Sequence, residues 1–294
     1  MIKRSVITDE VSQDPGEVIA FAQAFHLDGL ELRTICGKGL LEMDDTLIEE
    51  LRGRFQDAGL AVCCFSLPLF KCDVADLATQ EAQIAAFPRL LQYAKALGTE
   101  RMRGFCFWKC ENPYARLREV YGKIAPMAQD AGITIVLESD PSVNGHTALK
   151  LREMIECIDH PAVQALFDGG NYPFVPDAQT PLESYGVLRG KIRHVHVKDS
   201  VREGNGAHAV CIGEGEGQVR EILSALHDDG YDGWLSLETH YRLDVSLDDE
   251  TLRLPGGAAF DGGQPHQRRF VRGRTLMRPP RRPRQGLDAA VSSW

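Results

Sequence analysis

No run in this chain approaches the roughly 18 uninterrupted apolar residues of a membrane helix. The N-terminal Met1-Ile2-Lys3-Arg4-Ser5-Val6 enters strand-like sequence without the apolar stretch of a secretion signal. The expectation is a cytoplasmic protein with no membrane partner. The eight cysteines include no Cys-x-x-Cys pair, and several lie in apolar runs such as Val62-Cys63-Cys64-Phe65, so they read as reduced core thiols. Basic charge is also in deficit: the net charge is −9, which argues against general nucleic-acid affinity. Nor is there a phosphate loop. The segment after the first strand, Thr8-Asp9-Glu10-Val11-Ser12-Gln13, has no glycine, and Gly213-Glu214-Gly215-Glu216-Gly217 lacks the lysine and the preceding strand that such a loop needs.

What is present is alternation. Short β-rich runs at 5–8, 29–33, 61–67, 102–107, 134–140, 164–169, 192–198 and 234–239 are separated by helical stretches at 15–25, 45–58, 80–97, 113–131, 146–158, 182–188 and 219–229. Asp14-Pro15 reads as an N-cap followed by proline in the first turn, and Gly59, Gly98, Gly132 and Gly230 follow helix ends. Eight strands with intervening helices predict an α/β fold, a (β/α)8 TIM barrel over residues 1–262. The 294 residues, 43% of them hydrophobic, suffice for that one core. The doubly wound open sheet is the runner-up.

The last helix of the pattern is missing. Residues 263–294 contain eight arginines and one aspartate, with prolines at 265, 279, 280 and 283. This Arg/Pro-rich tail is expected to be disordered or loosely docked; a departure from its relatives, as by a reading-frame change, is the other reading.

Four strands end in an acid or a histidine: Ile135-Val136-Leu137-Glu138, Ala165-Leu166-Phe167-Asp168, His194-Val195-His196-Val197-Lys198 and Trp234-Leu235-Ser236-Leu237-Glu238. A buried carboxylate costs several kcal/mol unless it is paired or bound to metal. Side chains alternate across a strand, so Val195 and Val197 face the helices while His194, His196 and Lys198 face the barrel interior. The same parity groups Val136 with Glu138 and Asp140, and Ser236 with Glu238 and His240. Inward polar groups at C-terminal strand ends mark the active-site rim of a barrel. Three carboxylates and one imidazole suit Mn²⁺, Mg²⁺ or Co²⁺, with Zn²⁺ also compatible.

The segments VLES (136–139), LFDGGN (166–171), HVHVKD (194–199) and SLETHY (236–241) resemble the sugar phosphate isomerase/epimerase family, with its xylose-isomerase-like barrel. The resemblance covers about 1–262 and includes DEVSQDP (9–15), DGLELR (28–33), PLFKCD (68–73) and DGYDGW (229–234). It implies Glu138, Asp168, His196 and Glu238 as metal ligands, and Glu138 and Glu238 as the acid/base pair. It further implies a carbohydrate substrate and a homo-oligomer, dimer or tetramer. Two positions depart from the family pattern: Asp140, and Gly169-Gly170 where a proline is common.

The activity so implied is isomerisation or epimerisation through an enediolate. A cyclic-polyol (inosose-type) dehydratase is the alternative on the same metal. An endonuclease IV-like phosphodiesterase would need extra histidines on the third and fourth strands, which read Cys63-Cys64-Phe65-Ser66-Leu67 and Arg103-Gly104-Phe105-Cys106-Phe107. A non-catalytic sugar binder has no need of two acid/base carboxylates. Candidate substrate contacts are Glu31, Lys71, Arg103, Trp108, Asn171, Lys198 and His240. Each also has a plainer reading: Glu31 as an interior ion pair with Arg33, Lys71 as a solvated loop residue, Trp108 as core. Asn171, His240 and His194 are expected to orient the ligands, and His208 is expected to be an exposed loop residue.

Overall fold

A computed structural model describes residues 1–204 and 206–241. The chain divides into two units, Met1–Thr239 and His240–Trp294. The expected tail at 263–294 lies outside the described residues. No helix among them is long and apolar enough to cross a membrane.

The first unit is a TIM barrel. Its strands are β1 (Lys3–Ile7), β2 (Gly29–Leu32), β3 (Ala61–Leu69), β4 (Arg101–Gly104), β5 (Thr134–Glu138), β6 (Val163–Asp168), β7 (Ile192–Val197) and β8 (Trp234–Leu237). Each pairs in parallel with its sequence neighbours, and β8 pairs with β1 to close the ring. The connecting helices are α1 (Pro15–Ala24), α2 (Asp45–Asp57), α3 (Leu77–Leu97), α4 (Tyr114–Asp130), α5 (Ala148–Ile158), α6 (Pro181–Leu188) and α7 (Val219–Asp228). Packing follows from periodicity. In α4, Leu117, Val120, Tyr121, Ile124 and Ala128 recur at helical spacing, and all are buried. β2 is buried at every position, as a strand covered on both faces must be.

The ends of the elements obey local chemistry. Asp14 accepts from the backbone N–H groups of Gly16 and Glu17 and caps α1. Thr180 and Glu183 form a reciprocal capping box on α6. Gly59, Gly98, Gly132 and Gly230 all adopt positive φ just past helix ends. α5 instead ends on Asp159 at φ 51°, a left-handed conformation that aspartate tolerates.

All eight strands differ from the expected ranges by one to three residues at one end or both, and two of these shifts have a clear local cause. β3 runs through Pro68 to Leu69, because the proline falls where the register slips between Phe65 and Leu69 and no ladder bond needs its missing N–H. β4 stops at Gly104 rather than Phe107. There Phe105 and Phe107 donate to the carbonyls of Leu69 and Phe70, and Phe107 turns to φ 58°. At the opposite end of the barrel, a Cβ on Gly29 would lie 2.5 Å from the Ala61 carbonyl oxygen and 2.8 Å from Trp234, so only glycine fits.

The proposed ligands take equivalent places. Glu138 and Asp168 are the last residues of β5 and β6, His196 is the last but one of β7, and Glu238 directly follows β8. Asp168 and His196 are register partners across β6 and β7.

Candidate metal centre

Glu138, Asp168, His196 and Glu238 each offer a donor atom, and those atoms lie within 4.8 Å of one another. All four side chains are buried. His196 Nδ1 faces Oε1 of Glu138 at 3.3 Å and Oε2 of Glu238 at 3.1 Å. Neighbouring donors around an octahedral ion with bonds of about 2.1 Å lie about 3.0 Å apart, so this spacing fits a shared coordination sphere. The donor set also fits: three hard oxygens and one nitrogen suit a divalent cation. Burial, with the charges of Glu238 and Glu138 close by, pushes the Asp168 carboxyl up to about 6 even though Lys198 opposes the rise. Such a carboxylate gains from a bound cation.

Protein cations already surround the acids. Arg103 donates through Nη1 to Glu138 Oε2 at 3.0 Å and lies 3.6 Å from Glu238 Oε1. Its other nitrogens donate to the carbonyls of Leu67 and Ser66, which fix the guanidinium plane. Lys198 Nζ lies 2.7 Å from Asp168 Oδ2 and 3.2 Å from Glu238 Oε2. Burial works against the ammonium, but Asp168 and Glu238 outweigh it and hold Lys198 charged. Burial likewise lifts the Glu138 carboxyl, yet Arg103 brings it below the usual glutamate range. For His196, burial is overcome by Glu31 and Glu238, a field that favours positive charge on the ring, whether from a proton or from an ion at Nδ1.

Asn171 donates to Glu138 Oε1, Asp168 Oδ2 and the Ser139 carbonyl, tying β5 to β6 at the rim. The Gly170 N–H donates to Asp168 Oδ1. A Cβ on Gly170 would sit 2.7 Å from Lys198 Cγ, so glycine permits the close approach here.

Other candidates have different partners. Glu31 is fully buried and faces His194 and His196 rather than Arg33. Lys71 pairs with Asp140 at 2.8 Å, and its ammonium stands over the Phe105 ring. Trp108 is 49% exposed, so it is not core; its backbone bridges Val143. His240 begins the second unit, at φ 49°. His208 is exposed and lies 3.1 Å from Glu203. Four of the eight free cysteines are buried, whereas Cys36 and Cys110 are exposed.

Sequence reasoning missed two features. Arg33 donates to Glu238 Oε1 at 2.7 Å and is held in turn by Asp9 and Glu10. The signal lay in DGLELR and DEVSQDP, whose opposite charges meet only after the barrel closes. The second is Asp199, whose carboxylate accepts from the N–H groups of Ser200, Gly213, Gly215 and Gly217. The glycine loop thus wraps an internal anion. A Cβ at Gly215 would lie 2.2 Å from Asp199 Oδ1.

With fold and site defined, comparison places the chain. Residues 19–259 match the xylose isomerase-like TIM barrel family, and the chain belongs to that family. It spans about half the length of the curated relatives it matches. One is the inosose dehydratase of Lacticaseibacillus casei, 24% identical over 144 residues, which make up 44% of this chain and 47% of that protein. Among solved structures, a D-tagatose 3-epimerase-like protein superposes with a TM-score of 0.69 at 21% identity, covering 85% of this chain and 96% of that one. A zinc-bound IolI protein superposes with a TM-score of 0.68 at 19% identity, covering 81% and 88%. At these identities the two structures establish a shared fold.

Proposed function

We propose that this chain is a divalent-metal-dependent isomerase or epimerase of a sugar or sugar phosphate, with Glu138 and Glu238 as its acid/base pair. One observation carries the reading: Glu138, Asp168, His196 and Glu238 converge within 4.8 Å at the C-terminal rim of a barrel of this family. The four residues would hold one ion. The oxygen-rich set favours Mn²⁺, Mg²⁺ or Co²⁺, and the zinc in the IolI structure makes Zn²⁺ a further choice. When bound, such an ion acts as a Lewis acid on a substrate carbonyl and its neighbouring hydroxyl.

The protein's own groups do the rest. Arg103 keeps Glu138 ionised, so Glu138 is suited to accept a proton from the carbon beside the carbonyl. The C–H electron pair moves into the carbonyl to give an enediolate. Arg103 and Lys198, buried and charged, offset the growing negative charge. In epimerisation Glu238, entering the cycle as the carboxylic acid, delivers its proton to the opposite face of the same carbon, and Glu138 passes its proton to water to reset the pair. In isomerisation the proton goes to the neighbouring carbon while the hydroxyl proton passes to the former carbonyl oxygen. Trp108, half-exposed at the mouth, offers a face for a sugar ring.

The inosose dehydratase relative favours a second reading. The same base would remove the proton, and a β-hydroxyl would leave as water. A panel of ketoses and inososes in D₂O separates the two. Deuterium gained at a carbinol carbon without loss of water supports the isomerase reading. Loss of water supports the dehydratase, and no turnover on either class with any of the four metals contradicts both.

A further inference from the structure

We propose that Glu31 and His194 are positioning residues that fix the ring tautomer of His196 and so dictate Nδ1 as its ligand atom; the inference rests on the reading of His196 as a metal ligand. Glu31 stands on β2 and the histidines on β7, with β1 and β8 between them, so the contact crosses the barrel interior. Its Oε2 lies 2.7 Å from His194 Nε2 and its Oε1 lies 3.0 Å from His196 Nε2. An ionised carboxylate only accepts, so each imidazole places a proton on Nε2. His196 Nδ1, 3.3 Å from Glu138 and 3.1 Å from Glu238, is then the ring atom left to exchange its proton for an ion, whereas Nε2 stays committed as the donor to Glu31. Metal-bound histidines are commonly oriented by a carboxylate in this way.

His194 completes the clamp. Its bond to the second oxygen fixes the plane of the Glu31 carboxylate. Its own Nδ1 is buried and has no hydrogen-bond partner, as the Nε2–H tautomer of a neutral ring leaves it.

Cys64 Sγ also lies within 4.8 Å of donor atoms on Glu31 and His194, which suggests a second ion. The chemistry favours the clamp instead. Burial and the Glu31 charge hold the Cys64 thiol well above its usual range, and His194 already donates to Glu31.

The test uses the full chain, stripped with a chelator and titrated with Co²⁺ against a competing chelating dye. One equivalent is expected for the wild type, and His196→Ala should lose it. Glu31→Gln should keep native circular dichroism but bind about 10- to 100-fold more weakly, and Glu31→Asp should recover part of the loss. Cys64→Ala should leave the stoichiometry at one. In protein carrying ¹⁵N-labelled imidazole and loaded with Zn²⁺, His196 should show a metal-bound Nδ1 and a protonated Nε2; this spectrum decides the matter if Glu31→Gln does not fold. Wild-type affinity in Glu31→Gln alongside lost binding in His196→Ala overturns the clamp but leaves the ligand reading intact. A second equivalent that vanishes in Cys64→Ala also overturns it. Undiminished binding in His196→Ala removes the ligand reading itself.

Discussion

Lys198 Nζ lies 2.7 Å from Oδ2 of Asp168, as close as Arg33 lies to Glu238. The same ammonium is 3.2 Å from Glu238 Oε2, so it competes with any ion for two of the four donors. Lys198→Met should therefore tighten metal binding about 10-fold, since a unit charge about 5 Å from a divalent ion opposes it by roughly 7 kcal/mol at an effective dielectric of about 20, most of which is offset by the lost hydrogen bonds and by solvent screening. Isothermal titration of Mn²⁺ reads this directly. Weaker binding in the variant would show that the lysine organises the carboxylates more than it repels the ion.

Glu138→Gln and Glu238→Gln preserve shape and remove, respectively, the group that accepts the proton and the group that returns one. Each should lower turnover on a confirmed substrate by about 10²- to 10⁴-fold. Thermal melts of the two variants should show a cooperative transition, which separates lost chemistry from lost fold. Near wild-type turnover in either variant counts against its assignment to the pair.

Gly170 supplies a steric test. Gly170→Ala sets a Cβ 2.7 Å from Lys198 Cγ and 2.8 Å from the Lys198 carbonyl, so it should destabilise the fold by about 1–3 kcal/mol. Gly186 is the control: it lies within α6 with open space around its Cβ position, and alanine there should stabilise by about 0.5–1 kcal/mol. Urea denaturation measures both. Equal effects at the two positions would deny the close packing at Gly170.

The barrel and the convergence of the four acid and histidine side chains are legible for the same reason. Side-chain alternation along β7, buried on both faces from His194 onward, leaves Val195 and Val197 against the helices and directs His194 and His196 inward, and strand parity is a local property. Contacts between distant segments were not legible. Glu31 and Arg33 alternate along one strand and read as partners, yet Glu31 meets β7 and Arg33 meets Glu238, Asp9 and Glu10. Lys71 read as a solvated loop residue because Asp140, its partner, lies 69 positions away. The Asp199 nest is not legible because nothing local in the glycine-rich loop marks its anion as a carboxylate of the same chain.

Ligand binding should also appear as stability. An ion that binds only the folded chain should add about 2.7 kcal/mol at 100 times its dissociation constant. Melting of chelator-treated protein with and without Mn²⁺ checks this, and Asp168→Asn should abolish most of the gain. An equal gain in that variant would point to an ion bound elsewhere.

Metal stoichiometry in the purified full chain tests the central claim most directly. Wild type should bind one divalent ion, and Asp168→Asn and His196→Ala should each weaken that binding at least 100-fold while retaining native circular dichroism. A wild-type chain that binds no divalent ion, or variants that bind it undiminished, would contradict the account.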